Sequence, residues 1–472
     1  MPLPAIFDPF AKKAAPALMV RLALDWMIPR TSIDPLLESV AQWQYDREFL
    51  LGHFVEVMAD VSCGFRSSPR SAFLERQLDL IASLSAFYAK LNRMEPAVPS
   101  AILRETANRA RELIEAAGGF LPEPIPGYSA RILDGNVLAG TDHRIKELRA
   151  TRAATLPGKL LAVYEPKSGL VRDVILEENA HTQERALLDQ VIIELGQVWI
   201  MDRNFCVRTF LFRILRAKAF FLVRRHASTL PFEPAEPLRS VGHCDTGAIF
   251  EQLIDVTDPE SEGPPYRLRR IVLRLKNPTR EAETEIVLIT NLPKEIKATV
   301  CCQAYRGRWE IEIHFQKLTD LLHCEIPALG YPRAALFAFC MSAVAGNALA
   351  ILMGNLRAVH GDEMAAEVSP HSLTKKMAEV YPGMMIALPP PEWVPFQSCS
   401  VCELAKLMND LAEAVPIDRM LRSRRGAKKP RTPREKPGSK IHHVATQKLL
   451  EASRGVPPPS ISEKSKQSSI KS

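Results

Sequence analysis

The chain has 472 residues, 46% hydrophobic and 24% charged, with 61 Lys and Arg against 54 Asp and Glu and a net charge of +7. This is the make-up of an ordinary soluble protein with room for two to four domains and a large core. Its nine cysteines, among them the adjacent Cys301-Cys302 and a lone CxxC at Cys399–Cys402, follow no disulfide or zinc-ribbon spacing, which excludes a cystine-stapled secreted scaffold and points to a reduced, cytoplasmic chain.

From Thr31 to about Ala117, helix signals alternate with short polar breaks. Pro35 stands where a first helical turn tolerates proline, with Asp34 as its candidate cap. Leu78–Leu91 and Ser100–Ala117 read as further amphipathic helices, the second stopping before Gly118-Gly119. The N-terminal apolar stretch is interrupted by Arg21 and Asp25, so no signal peptide is visible. Residues 1–125 are therefore expected to be an all-α domain. It contains no distinct recognition-helix motif, and serves either to bind DNA ends or as a structural cap.

Pro122, Pro124 and Pro126 mark a linker into a mixed α/β segment, residues 126–225. Strands are predicted at Ala130–Leu133, Lys159–Tyr164, Val171–Leu176, the apolar run before Asp202, and Phe220–Val223. Helices are predicted over Glu184–Leu195 and Arg208–Arg216. Residues 226–285 change character, with Pro-rich turns between β-like runs such as Ile271–Leu275. Arg267, Arg269, Arg270 and Arg274 there face either DNA or solvent. A second α/β part follows at 286–365. Within it Ala334–Gly354 is uncharged for about a bilayer's thickness, yet Ser342, Gly346 and Asn347 favour a helix buried against the sheet over a membrane span. Residues 366–420 read as a helical appendage. Leu421–Lys440 then holds nine Lys and Arg against the single acid Glu435, a net +8, so the rest of the chain sums to −1. The tail 421–472 is expected to be basic and disordered, either tracking DNA phosphates or simply solubilising.

Three acids stand out. Asp134 closes the strand-like Ala130–Leu133 before Gly135. Asp202 closes Val198–Met201 before Arg203. Residues at strand ends project into the cleft of an open sheet, although either aspartate alone also reads as a cap or turn former. Further on, Tyr305, Arg308 and Glu312 recur at steps of three and four, on one helical face. On spacing alone that stripe is either a site or a surface helix with an Arg/Glu pair and a packed Trp309. Three oxygen donors suit Mg²⁺ or Mn²⁺ and not zinc.

At these residues the sequence resembles the DDE transposases of bacterial insertion sequences, in the group with a Tyr-Arg-Glu-Lys signature. Tyr305, Arg308 and Glu312 match that signature, whereas Thr319 stands at its lysine position; Lys317 is close in sequence but on another face. Val287–Pro293 resembles the family's strand and turn before the signature helix. The resemblance covers roughly Pro124 to Leu356. It implies an RNase H-like core interrupted by a β-rich insertion, and catalysis by Asp134, Asp202 and Glu312 holding two Mg²⁺ (or Mn²⁺) ions. It further implies Tyr305, Arg308 and Arg203 on DNA, cleavage and strand transfer on double-stranded element ends and target, a homodimer on DNA, and no membrane. Two alternatives stay open: a catalytically impaired, transposase-derived DNA-binding protein, and a plain RNase H-like nuclease.

Overall fold

The computed structural model describes residues 3–41, 51–76, 82–141, 145–226, 229–279, 282–422 and 443–454. Helices come first: α1 Asp8–Met27, α2 Arg30–Val40, α3 Leu51–Ser62, α4 Pro69–Glu75, α5 Leu84–Leu91 and α6 Ala97–Ala116. Local chemistry sets several of their ends. Ser68 and Ser71 form a capping box on α4, and the Ser83 hydroxyl accepts from Ala86 N–H to start α5. After α6, Gly118 takes φ +75°, the left-handed geometry that stops a helix. One cap differs from expectation. α2 begins at Arg30, so Pro35 lies inside it, and Asp34 Oδ1 accepts the Gly52 N–H (2.8 Å) in the first turn of α3 instead.

The strands are β1 Ser129–Val137, β2 Ala154–Leu156, β3 Lys159–Glu165, β4 Leu170–Glu177, β5 Gln197–Met201, β6 Phe220–Arg224, β7 Glu233–Pro234, β8 Arg239–Cys244, β9 Gly247–Val256, β10 Tyr266–Leu275 and β11 Glu285–Thr290, with α7, Arg208–Arg216, between β5 and β6. One mixed sheet runs in the order β4-β3-β1-β5-β6-β11-β10-β9-β7, and β8 also pairs with β9. β4, β3 and β1 are antiparallel neighbours, whereas β1, β5 and β6 run parallel. The expected insertion is β-rich, but its strands do not stand apart. β11 docks antiparallel on the open edge of β6, and β10 and β9 continue outward. The β10 arginines are spent on this sheet: Arg267 pairs with Asp255, Arg269 with Glu251, and Arg274 with Glu285, while Arg270 bonds Gln252.

The helix predicted over Glu184–Leu195 is a 3₁₀ turn over Glu184–Gln190 followed by extended chain. Leu187, Leu188 and Val191 are buried in the core on the outer face of the sheet, while Ile192 and Leu195 beyond them are exposed, so the apolar stripe ends before a longer helix could use it.

The second half adds α8 Ala298–Arg306, α9 Trp309–Leu321, α10 Pro332–His360, α11 Asp362–Glu367, α12 Pro370–Ala387, α13 Val394–Gln397 and α14 Val401–Glu413. Among the described residues α10 is the one helix long and apolar enough to cross a membrane, and it is almost wholly buried. It shares one hydrophobic core with α1, α3, α6 and the inner face of the sheet. Its polar residues have structural work. Ser342 donates to Ser62 Oγ on α3. Asn347 accepts the Val171 N–H and donates to the Val171 carbonyl, both at 2.9 Å, closing the edge strand β4. Asn347→Leu is therefore expected to cost roughly 2–4 kcal/mol by urea unfolding, because two buried backbone groups lose their partners.

Most of the basic segment 421–440 lies outside the described residues, as does 455–472 of the expected disordered tail. Within that tail, however, residues 443–454 are ordered. His443–Ala445 pairs in parallel with β2, and Thr446–Ser453 is helical with Leu450 buried.

Candidate active site

The parallel pairing of β1 with β5 brings the two aspartates together. Leu133 is in register with Met201, so Asp134 and Asp202 follow at the same level on neighbouring strands, whose axes lie about 4.8 Å apart. The two ends are not alike. β5 stops at Met201, and Asp202 caps a 3₁₀ turn, its Oδ1 accepting the Asn204 N–H at 3.1 Å. Asp134, by contrast, is inside β1, which runs on to Val137 against β3. Gly135 is thus a strand residue and not the turn expected from Asp-Gly. The Glu184 carboxylate lies over it, so a Cβ there would make that carboxylate shift.

Glu312 arrives on α9. The expected single helix through Tyr305–Phe315 is interrupted between Arg306 and Trp309, where the bonds tighten to a three-residue step: Arg308 N–H to Tyr305 O, Glu310 N–H to Gly307 O and Ile311 N–H to Arg308 O. This break turns Arg308 inward. Its Nη1 donates to Asp134 Oδ2 (2.9 Å) and its Nη2 to Glu312 Oε1 (2.8 Å), with the side chain only 7% exposed. One guanidinium thus joins two of the three acids. Burial works against the Arg308 charge and is outweighed by Asp134, with Tyr305, Glu312 and Asp202 adding. Burial pushes the Asp134 carboxyl up to about 6; Arg308 and the Gly135 N–H oppose this, and Glu312 and Asp202 reinforce it. Asp134, Asp202 and Glu312 therefore feel one another's charge.

The residues expected on DNA are placed differently. Tyr305 is buried, which raises its hydroxyl pKa, and Arg308 lies against it. Arg203 pairs with Glu283 at 3.2 Å. Trp309, expected to pack, is 58% exposed, and the Arg308 guanidinium lies 5.3 Å from its ring centroid. The break before α9 puts it at the first helical position, where no neighbouring helix covers it. Thr319 is exposed, its hydroxyl 3.5 Å from Cys324 Sγ. Lys317 is half-buried, and burial, then Arg422, lower its pKa. His314, given no role from sequence, is buried against Tyr164, with its pKa driven down to about 3 by burial.

Sequence reasoning missed Glu184 and Asn204. Asn204 Nδ2 donates to Glu184 Oε2 at 2.5 Å, and Arg185 Nε donates to the Asn204 carbonyl at 2.9 Å. The adjacency of Gly135 to Asp134 was the one sequence signal, and it reads first as a turn.

The profile of the transposase DDE domain matches residues 125–339. Over 160 residues the chain is 27% identical to y4zB of Sinorhizobium fredii, which carries a provisional transposase name; the match covers 34% of this chain and 43% of that one. Over 235 residues it is 23% identical to the transposase for insertion sequence element IS421 of Escherichia coli, covering 42% and 59%. The same figures hold for InsL of element IS186A in Escherichia coli, also provisionally named a transposase. The chain thus spans about half the length of the curated relatives it matches. Among solved structures, the synaptic complex of piggyBac transposase with hairpin DNA aligns with a TM-score of 0.39 and 10% identity, over 86% of this chain and 87% of that one. Residues 125–339 thus match the transposase DDE domain, and the curated proteins to which the chain is similar carry transposase names.

Proposed function

We propose that the protein is a DNA transposase that cleaves strands at the ends of an insertion element and joins them to target DNA. The observation that carries this reading is the acid cluster: Asp134 and Asp202 level on adjacent parallel strands, with Glu312 tied to Asp134 through Arg308. An antiparallel hairpin series leading into two parallel strands, with α7 between them, supports an RNase H-like core. On this reading Asp134, Asp202 and Glu312 are the catalytic residues and the ligands of two Mg²⁺ or Mn²⁺ ions.

The donor chemistry fits such ions. All three groups offer carboxylate oxygens, hard donors that suit Mg²⁺. Burial raises the Asp134 pKa, with Glu312 and Asp202 adding to it; a cation would offset both effects, and Arg308 supplies the positive charge here. Among the described residues no three His, Cys, Asp or Glu side chains already stand together as a metal cage. When bound, the ions activate the attacking water or 3′-OH and offset charge on the phosphoryl oxygens. Arg308 is assigned to holding the acid cluster and not to a phosphate. Residues 1–125 are proposed to bind element ends, and two copies to assemble on DNA in the cytoplasm.

The pH dependence follows from Asp134. Its folded pKa of about 6 lies above the ordinary value of 3.8. Its contribution to stability is therefore present below pH 3.8 and lost as pH rises through 6. Divalent ions stabilise the charged form, so Mg²⁺ is expected to raise the melting temperature more at pH 7.5 than at pH 5. An equal shift at both would contradict the assignment.

The test of the function is a cleavage and joining assay with purified protein on its element's ends. Joined products are expected; cleavage without joining would leave a nuclease, and neither would leave a DNA-binding relic.

A further inference from the structure

Glu184 sits between strand β1 at Gly135, next to Asp134, and the 3₁₀ turn that Asp202 caps. On one side its Oε2 accepts from Asn204 Nδ2 at 2.5 Å. The same Asn204 gives its backbone N–H to Asp202 Oδ1 at 3.1 Å, and its carbonyl is held by Arg185 Nε at 2.9 Å. Consecutive side chains at the start of one 3₁₀ turn thus grip the residue that orients Asp202. On the other side the Glu184 carboxylate lies over Gly135, next to Asp134, in space that any Cβ would fill. Among the described residues no Lys, Arg or His nitrogen is ion-paired with Glu184, and the adjacent Arg185 is committed to Asn204. Glu184 thus touches the immediate neighbours of two of the acids, Gly135 beside Asp134 and Asn204 beside Asp202.

We infer that Glu184 is a positioning residue of the acid cluster: it fixes Asp202 through Asn204, with its carboxylate seated over Gly135. Outer partners of metal-binding carboxylates orient those ligands, and their loss typically weakens ion affinity or activity by about 10- to 100-fold. The part of this inference that concerns turnover rests on the transposase reading; the part that concerns ion binding rests on the cluster alone.

The test uses the full-length chain and two readouts. Mn²⁺ binding to the DNA-free protein is followed by electron paramagnetic resonance, and strand cleavage is measured on element ends. Glu184→Ala and Asn204→Ala are each expected to weaken Mn²⁺ binding and slow cleavage by about 10- to 100-fold. Because the two residues act in series, the double variant loses no more than the worse single one. Glu184→Gln is expected to fall between wild type and Glu184→Ala, since its amide oxygen can still accept from Asn204. Melting temperatures identify a folding defect. Should Glu184→Ala not fold, Asn204→Ala, which keeps the backbone N–H on Asp202, decides the matter.

Unchanged Mn²⁺ affinity in both alanine variants overturns the inference, as do losses that add in the double variant. A wild-type protein that binds Mn²⁺ but never cleaves DNA removes the transposase reading, and Mn²⁺ affinity still decides the role of Glu184. A wild-type protein that binds no Mn²⁺ overturns both.

Discussion

Asp202→Asn is expected to abolish strand cleavage, and Asp134→Asn and Glu312→Gln to do the same. Each change keeps the shape of the side chain and removes only its charge. The sheet register is set by backbone pairing and should persist, while Asp134→Asn and Glu312→Gln each take one counter-charge from the buried Arg308 and should lower stability, so folding is checked by urea unfolding. A loss of at least ~10³-fold in cleavage corresponds to about 4 kcal/mol of transition-state stabilisation, the scale expected when a cation ligand is removed from phosphoryl transfer. DNA affinity should stay within about threefold of wild type or rise slightly, because one negative charge facing the phosphates is gone. Gel-based cleavage and equilibrium binding on the same DNA separate the two effects. Mg²⁺-dependent nicking retained by any one variant would remove that residue from the site.

Arg308→Ala should have the second-largest effect, and on a different quantity. The guanidinium is buried and bonded to Asp134 and Glu312 at once. Removing it leaves Asp134, already pushed up to about 6, without its counter-charge. Breaking a buried pair from one side costs about 3–5 kcal/mol, so urea unfolding at pH 7.5 should show a loss on that order, together with loss of cleavage. Arg308→Lys should rescue little, because a single ammonium cannot span two carboxylates as the planar fork does. A residue that only clamped a phosphate would behave otherwise, weakening DNA binding and leaving stability within about 1 kcal/mol, as for an exposed charge. That second pattern would return Arg308 to the DNA-contact role its sequence spacing first implied.

Asp202 was legible because an apolar run followed by a polar residue marks a strand end; the same rule put Asp134 at a strand end, whereas it lies inside β1, whose parallel pairing with β5 brings the two level. Glu312 was legible through its spacing from Arg308. What that spacing did not disclose is the direction of the Arg308 side chain, which depends on the tightening at Gly307–Arg308; a straight helix would have left it on the surface. The same break exposes Trp309, whose size had suggested packing. Asn347 was legible as a residue of a buried helix, but its bond to the β4 edge joins residues 176 apart in sequence. Glu184 fell in a segment with helical periodicity, and only the fold shows that the segment is a 3₁₀ turn whose first carboxylate reaches Gly135 and Asn204. His443–Ala445 is three residues long and pairs with an equally short β2, too little for period-two alternation to declare itself.

The most direct measurement is anomalous diffraction from crystals of the full chain soaked in Mn²⁺. The account predicts a peak bounded by the carboxylates of Asp134, Asp202 and Glu312, lost in the Asp202→Asn variant. Fully occupied Mn²⁺ elsewhere in the molecule, with Arg308 still bridging Asp134 and Glu312 and no peak among the three acids, would contradict it.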